Sequence, residues 1–464
     1  MRSLRSVAVV VFLLTLVAGC SSSKTPQATP TTATDQAVLG DWHGTLPLPN
    51  HELPFGVTFV AGGATVSIPE QGILDKPAAQ VTTAQDNVGF TVPDLPGLPT
   101  YHGRLDNDTI TGTFSQSGHD LPLTLTRGKV PAPPRPQEPK PPFPYKSEDV
   151  TFPSGTITVA GTLTLPDSPG PHPAVILISG SGAQDRDEQI LGHKPFLLLA
   201  NTLTKAGYAV LRTDDRGVGG TGGDLAHADY RDLSGDVAAG IDFLRGRPEI
   251  DRNRIGLLGH SEGGYLAPLV AERPDSGVAF VIMLAGPAVP GDEVLMEQNR
   301  AMLTASGATP EELRKQVEFI GTLTTLVRAG DPEQTRQYLE GHNATLPPEQ
   351  QASPGAITDY TSPNFGALVT YDPAPALRAL RVPVLALYGT KDLQVLAAQN
   401  APAAQANLAG DPDVDVHVVD GVNHLMQPAN TGLPSEYAGI ETTVDPRVLD
   451  YVTGWLTARV PPAH

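Results

Sequence analysis

Apolar and polar positions along the 464 residues follow two different rhythms. From about residue 38 to 127, apolar residues roughly alternate with small or polar ones, as they do in half-buried strands. Val57-Thr58-Phe59-Val60, Ala64-Thr65-Val66-Ser67-Ile68 and Leu121-Pro122-Leu123-Thr124-Leu125-Thr126 are the candidate strands. Proline cannot donate to a sheet ladder, so Pro122 predicts an edge strand, or one that starts after the proline. Gly62-Gly63, Asp106-Asn107-Asp108 and Ser117-Gly118 predict turns. No strong helical period is present. A small all-β barrel or sandwich is therefore predicted over 38–127.

From about residue 147 to 464 the rhythm changes. Ala174 to Ile178, Tyr208 to Arg212, Ile255 to Leu258, Val278 to Leu284, Val382 to Tyr388 and Val414 to Val419 are apolar runs of strand length. Between them, Phe196 to Ala206, Asp229 to Arg245, a stretch from about Glu262, and Pro446 to Val460 have helical spacing. Strands alternating with helices predict a mostly parallel sheet covered on both faces. The segment 289–376 interrupts that alternation. It holds helical stretches at Pro310 to Arg328 and Pro332 to Glu340, and it predicts a helical cap inserted between two sheet strands.

Composition explains how these regions are joined. Glycine and proline number 47 and 46, one residue in five, yet 40% of residues are apolar, enough to bury a core. Part of the proline sits in one place. Positions 131, 133, 134, 136, 139, 141, 142 and 144 are all proline, and 128–146 reads as a semi-rigid linker. The net charge of −19 opposes phosphate backbones, so no nucleic-acid partner is expected. The single cysteine, Cys20, excludes an intramolecular disulfide and cysteine-rich metal sites.

Cys20 lies in an informative place. Arg2 and Arg5 precede an apolar run from Val7 to Val17, followed by Val17-Ala18-Gly19-Cys20-Ser21. A basic start, a short apolar run and small residues describe a secretory signal peptide over 1–19. The run is too short for an ordinary membrane span. Its end resembles the lipobox of bacterial lipoproteins, with Val17 where leucine is usual. The resemblance implies lipidation of Cys20 and an extracytoplasmic, membrane-anchored protein. Residues 20–37 are Ser/Thr/Ala/Pro-rich and read as a flexible tether.

The chemistry concentrates in the second region. Gly259-His260-Ser261-Glu262-Gly263 follows a strand and precedes a helix. A tight strand-to-helix turn needs small flanking residues, and it exposes the serine oxygen above a helix N-terminus. A serine nucleophile needs a base, and the base needs an orienting carboxylate. The acid is Asp392, in Gly389-Thr390-Lys391-Asp392 after a late strand; Asp420 and Asp415 are the alternatives. The base is His424, just after the strand Val414 to Val419. Two backbone N–H groups should face the developing oxyanion. Glu262 supplies one. The other comes from Ser179-Gly180-Ser181-Gly182, at Ser181 or alternatively Gly182.

The segments Gly180-Ser181-Gly182-Ala183-Gln184-Asp185-Arg186-Asp187, Asp214-Asp215-Arg216-Gly217-Val218-Gly219, Gly259-His260-Ser261-Glu262-Gly263-Gly264 and Asn423-His424 resemble a bacterial branch of α/β-hydrolases, the esterases and serine aminopeptidase-like hydrolases. The likeness spans about 147–460. It implies an α/β-hydrolase fold, ester hydrolysis and no cofactor; no metal is expected. Ala183 stands where proline is usual. Asp185, Arg186 and Arg216 are candidate braces for the oxyanion loop. The expected activity is cleavage of small-molecule carboxylic esters through an acyl-enzyme. The alternatives are a serine peptidase using the same three residues, with Glu293, Glu297, Glu311 or Glu312 as amine anchors, and a lipid-anchored binding protein without catalysis.

Overall fold

The computed structural model describes residues 36–462, except 49, 50, 72, 94, 96, 117, 132 and 348–350. The leader, Cys20, nearly all of the tether, Ser117 and His464 lie outside the described residues. The chain divides into two compact units, with one boundary between Pro134 and Arg135, inside the proline run. Gly341–Ser353 groups with the first unit.

The first unit is antiparallel β. Its strands are β1 (Gly40–Leu48), β2 (His51–Val60), β3 (Gly63–Ile68), β4 (Ile73–Pro77), β5 (Ala79–Ala84), β6 (Asn87–Thr91), β7 (Thr100–Asp106), β8 (Thr109–Gln116) and β9 (His119–Arg127). They form one sheet in the order β4-β3-β2-β1-β9-β8-β7-β6-β5. Alternate residues point inward, as in β3, where Ala64, Val66 and Ile68 are buried. All the buried apolar residues join one cluster around Trp42, Phe55, Phe90 and Tyr101. Phe55 meets Phe114 edge-on at 5.4 Å, and Phe90 stacks on Tyr101 at 5.2 Å.

Pro122 departs from expectation. The strand that holds it starts before the proline, at His119, and lies between β1 and β8. Its register with β8 runs the full length, with Pro122 opposite Thr113. Its register with β1 covers only Arg127 and Thr126, opposite Trp42 and His43. The position that lacks an N–H thus falls outside the β1 ladder, and an interior strand tolerates it.

The second unit carries an eight-stranded sheet. Two antiparallel strands begin it, β10 (Lys146–Ser154) and β11 (Ile157–Leu165). Then follow β12 (His172–Ile178), α1 (Pro195–Lys205), β13 (Ala209–Thr213), α2 (Tyr230–Arg245), β14 (Ile250–His260), α3 (Gly263–Ala271) and β15 (Val281–Leu284). Among the described residues, six α-helices intervene: α4 (Gly291–Ala305), α5 (Pro310–Ala329), α6 (Pro332–Asn343), α7 (Pro354–Asp359), α8 (Pro363–Thr370) and α9 (Ala374–Ala379). The chain ends with β16 (Val384–Gly389), α10 (Ala397–Asn407), β17 (Val414–Val419), α11 (Pro434–Tyr437) and α12 (Pro446–Arg459).

The sheet order is β10-β11-β13-β12-β14-β15-β16-β17, parallel from β13 onward. Every residue of β12 and β16 is buried, as expected of strands covered on both faces. On one face α1 packs with α12; on the other α2 packs with α3. This is the α/β-hydrolase fold, preceded by an all-β region.

The helices between β15 and β16 have their own small core. Leu295, Phe319, Ile320, Leu323, Phe365 and Val369 belong to it. The entry to α5 is fixed by a reciprocal cap, in which Thr309 and Glu312 each bind the other's backbone N–H. The carboxyl ends of β12, β14, β16 and β17 lead into the loops that carry Ser181, Ser261, Asp392 and His424, respectively. Ligands of open parallel sheets sit at this edge.

Candidate active site

Ser261 occupies the turn between β14 and α3 with φ +52°. A left-handed conformation costs an L-residue roughly 1–2 kcal/mol. The surrounding backbone holds it there: Ser261 N donates to Leu284 O at 2.9 Å, and Gly264 N donates to Ser261 O at 2.8 Å. The flanking glycines are a matter of space. A Cβ on Gly259 would lie 2.0 Å from the Gly263 carbonyl oxygen, and one on Gly263 would lie 2.2 Å from the Ile178 oxygen. No side chain fits either position without moving the turn.

His424 lies beside the serine, with Nε2 3.0 Å from Ser261 Oγ. Its Nδ1 is 2.9 Å from Asp392 Oδ2. The other carboxylate oxygen of Asp392 accepts from the N–H groups of Gln394 (2.8 Å) and Val395 (2.9 Å). Those two bonds fix the plane of the carboxylate. The three residues are 8%, 3% and 3% exposed, in the order Ser261, His424, Asp392. The alternative acids are engaged elsewhere. Asp420 accepts from Thr390 Oγ1, and Asp415 accepts from the Tyr451 hydroxyl. Such a chain can pass a proton from a hydroxyl to an imidazole and stabilise the resulting imidazolium.

The loop after β12 is held at both ends. Ser179 Oγ donates to Asp215 Oδ1 (2.7 Å), and Gln184 N donates to Asp215 Oδ2 (2.9 Å). Gly180 N donates to Glu188 Oε1 (2.8 Å). Among the described residues, the N–H groups of Ser181, Gly182 and Glu262 have no acceptor in the protein. They are therefore free to serve a ligand. Asp215 is the direct brace of this loop. Arg186 instead forms a two-pronged pair with Asp214, Arg216 pairs with Asp236, and Asp185 caps the N–H groups of Asp187 and Gln189.

His260 and Glu188 form a buried pair that sequence reasoning did not find. His260 Nδ1 is 2.8 Å from Glu188 Oε1, and its Nε2 is 2.9 Å from the His424 carbonyl oxygen. Both partners are acceptors, so a doubly protonated ring satisfies both contacts. Burial opposes that charge, but Glu188 outweighs it and the ring's pKa is raised. Glu188 thus links the oxyanion loop to the histidine loop. The residues are 72 positions apart, and no spacing rule connects them.

Two further carboxyls behind the serine are shifted. Burial pushes Asp215 up to about 8 and Glu262 up to about 7. Above pH about 4 the unfolded chain releases the Asp215 proton while the folded protein keeps it. The stability present at low pH is therefore lost as pH rises toward 8. In thermal unfolding, Tm of the wild-type protein is expected to fall more steeply between pH 5 and 8 than Tm of Asp215→Asn. Parallel curves for the two proteins would refute this ionisation.

A small pocket of about 20 Å³ opens beside the serine. Ser181, Ser261, Glu262, Val294, Leu295 and Leu368 are among its walls. Most of the lining is apolar, and α4 of the inserted helices covers one side.

The family model "Serine aminopeptidase, S33" matches residues 194–345. Esterase EstD from Thermotoga maritima is 30% identical over 313 residues, covering 67% of this chain and 68% of its own. Acyl-coenzyme A thioesterase 1 of Rattus norvegicus is 29% identical over 144 residues, 29% of each chain. An esterase from Pyrococcus furiosus aligns in structure with a TM-score of 0.46 and 17% identity, over 72% of this chain and 99% of that one. The extent of the match to Esterase EstD decides the family: the chain belongs to the esterase-type α/β-hydrolases, enzymes of the serine-hydrolase superfamily.

Proposed function

We propose that the protein cleaves small-molecule carboxylic esters through Ser261, His424 and Asp392. The observation that carries this reading is the unbroken contact chain from Ser261 Oγ through the His424 ring to Asp392. Ser261 Oγ attacks the acyl carbonyl carbon as His424 Nε2 takes its proton. The carbonyl π electrons move onto oxygen. Glu262 N–H and Ser181 N–H, or alternatively Gly182 N–H, bind that oxyanion; one such donor is worth about 2.7–4 kcal/mol in comparable sites. The tetrahedral intermediate collapses, the C–O bond to the alcohol breaks, and His424 returns the proton to the leaving oxygen. Water, deprotonated by His424, then attacks the acyl-enzyme. The second collapse releases the acid and restores Ser261.

The candidate amine anchors support an ester over an aminopeptidase reading. Glu311 pairs with Arg314, Glu312 closes the cap of α5, and Glu297 pairs with Arg300. Glu293 lies exposed on α4. None of the four lines the pocket beside Ser261. The test compares p-nitrophenyl esters with aminoacyl p-nitroanilides on the purified protein. A higher kcat/KM on the esters is expected, and a preference for the anilides would overturn the reading. The leader and Cys20 support the further proposal that this enzyme works at the extracytoplasmic membrane face, held by lipid on Cys20.

A further inference from the structure

The lining of the pocket beside Ser261 includes one side-chain amide that makes no hydrogen bond among the described residues. That residue, Gln298, projects from α4, is 2% exposed and lines this pocket. The neighbouring amide behaves differently: Asn299 Nδ2 donates to Leu295 O, and Asn299 Oδ1 accepts from Gln316 Nε2.

Filling the pocket with an alkyl chain would desolvate this amide without pairing it, a cost that an apolar residue of similar size avoids. A pocket meant for a plain alkyl chain gains nothing from Gln298. Glutamine offers both a donor and an acceptor. A hydroxyl or an amide on the substrate offers the same two. A neutral amide suits a neutral polar substituent better than an ammonium. The small volume limits the group to a short one.

We infer that Gln298 is a specificity-determining residue, and that the pocket takes short acyl groups carrying a hydroxyl or amide in preference to plain alkyl chains. The inference rests on the ester-hydrolase reading of Ser261 and names the substrate class for that site.

The experiment measures kcat/KM for p-nitrophenyl butyrate and p-nitrophenyl 3-hydroxybutyrate on wild type, Gln298→Met and Gln298→Leu. Wild type is expected to favour the hydroxy ester by about tenfold or more. Both variants are expected to treat the two esters about equally. The ratio is taken on one protein sample, so a loss of folded fraction cancels, and two apolar variants guard against one that misfolds. Equal rates in wild type, or a preference that survives in both variants, would overturn the role of Gln298 while leaving the ester reading intact. No turnover of either ester by folded wild-type protein would overturn the ester reading itself, and this inference with it.

Discussion

Replacing Ser261 with alanine is expected to lower kcat on a short p-nitrophenyl ester by about 10⁴-fold or more. The hydroxyl 3.0 Å from His424 Nε2 is the attacking group in the proposed cycle, and alanine removes only that atom. The fold should persist. The backbone bonds from Ser261 N to Leu284 O and from Gly264 N to Ser261 O do not involve the side chain. Alanine meets the same strain as serine at φ +52°. Residual turnover should come from binding and the oxyanion donors, which act without the nucleophile. Initial rates, alongside a thermal melt within a few degrees of wild type, check this. Activity retained within about tenfold would place the chemistry elsewhere.

The second large effect is expected from Asp392→Asn, about 10³- to 10⁴-fold in kcat. Asparagine keeps the shape and one carbonyl oxygen. That oxygen can still accept from Gln394 N and Val395 N, so the loop should hold. Its NH₂ would then face His424 Nδ1 and favour the tautomer with the proton on Nε2, which cannot accept from Ser261. No carboxylate would remain to stabilise the imidazolium. Asp420→Asn and Asp415→Asn are the controls, since these acids bind Thr390 and Tyr451 and not the histidine. Both are expected to stay within about threefold of wild type. A large loss in either, with Asp392→Asn active, would reassign the acid.

The parts legible in the sequence were those written locally. Val57 to Val60 and Ala64 to Ile68 fall within β2 and β3 because alternation is a short-range signal. The runs at 174–178, 255–258 and 414–419 fall within β12, β14 and β17 for their apolar density. Strands with few buried positions were not legible. In β5 the inward positions are Ala79, Val81 and Thr83, of which only Thr83 is fully buried and only Val81 is strongly apolar, so the alternation of burial leaves little trace in the residue types. The antiparallel pair β10 and β11 is not legible either, although β11 is almost wholly buried. Its small residues, Ala160, Gly161 and Thr162, weaken the apolar signal.

The site shows the same division. The elbow glycines, the acid after one strand and the histidine after the next follow rules of order and place, and the structure brings Ser261, Asp392 and His424 into contact. Asp215, Glu188 and Gln298 follow no such rule. Asp215 reads as one of two adjacent acids, and only the fold turns it, and not Asp214, toward the loop at Ser179. Glu188 reaches His260 across 72 residues. Gln298 sits on a helix whose period marks a buried face but not what that face covers.

Labelling with a serine-directed fluorophosphonate tests the central claim most directly. Intact-mass measurement of the folded protein should show one phosphonyl adduct, and peptide mapping should place it on Ser261. The Ser261→Ala variant should gain none, and an ester substrate should slow labelling of wild type. An adduct on another residue, or ester turnover by protein that never labels at Ser261, would contradict the account.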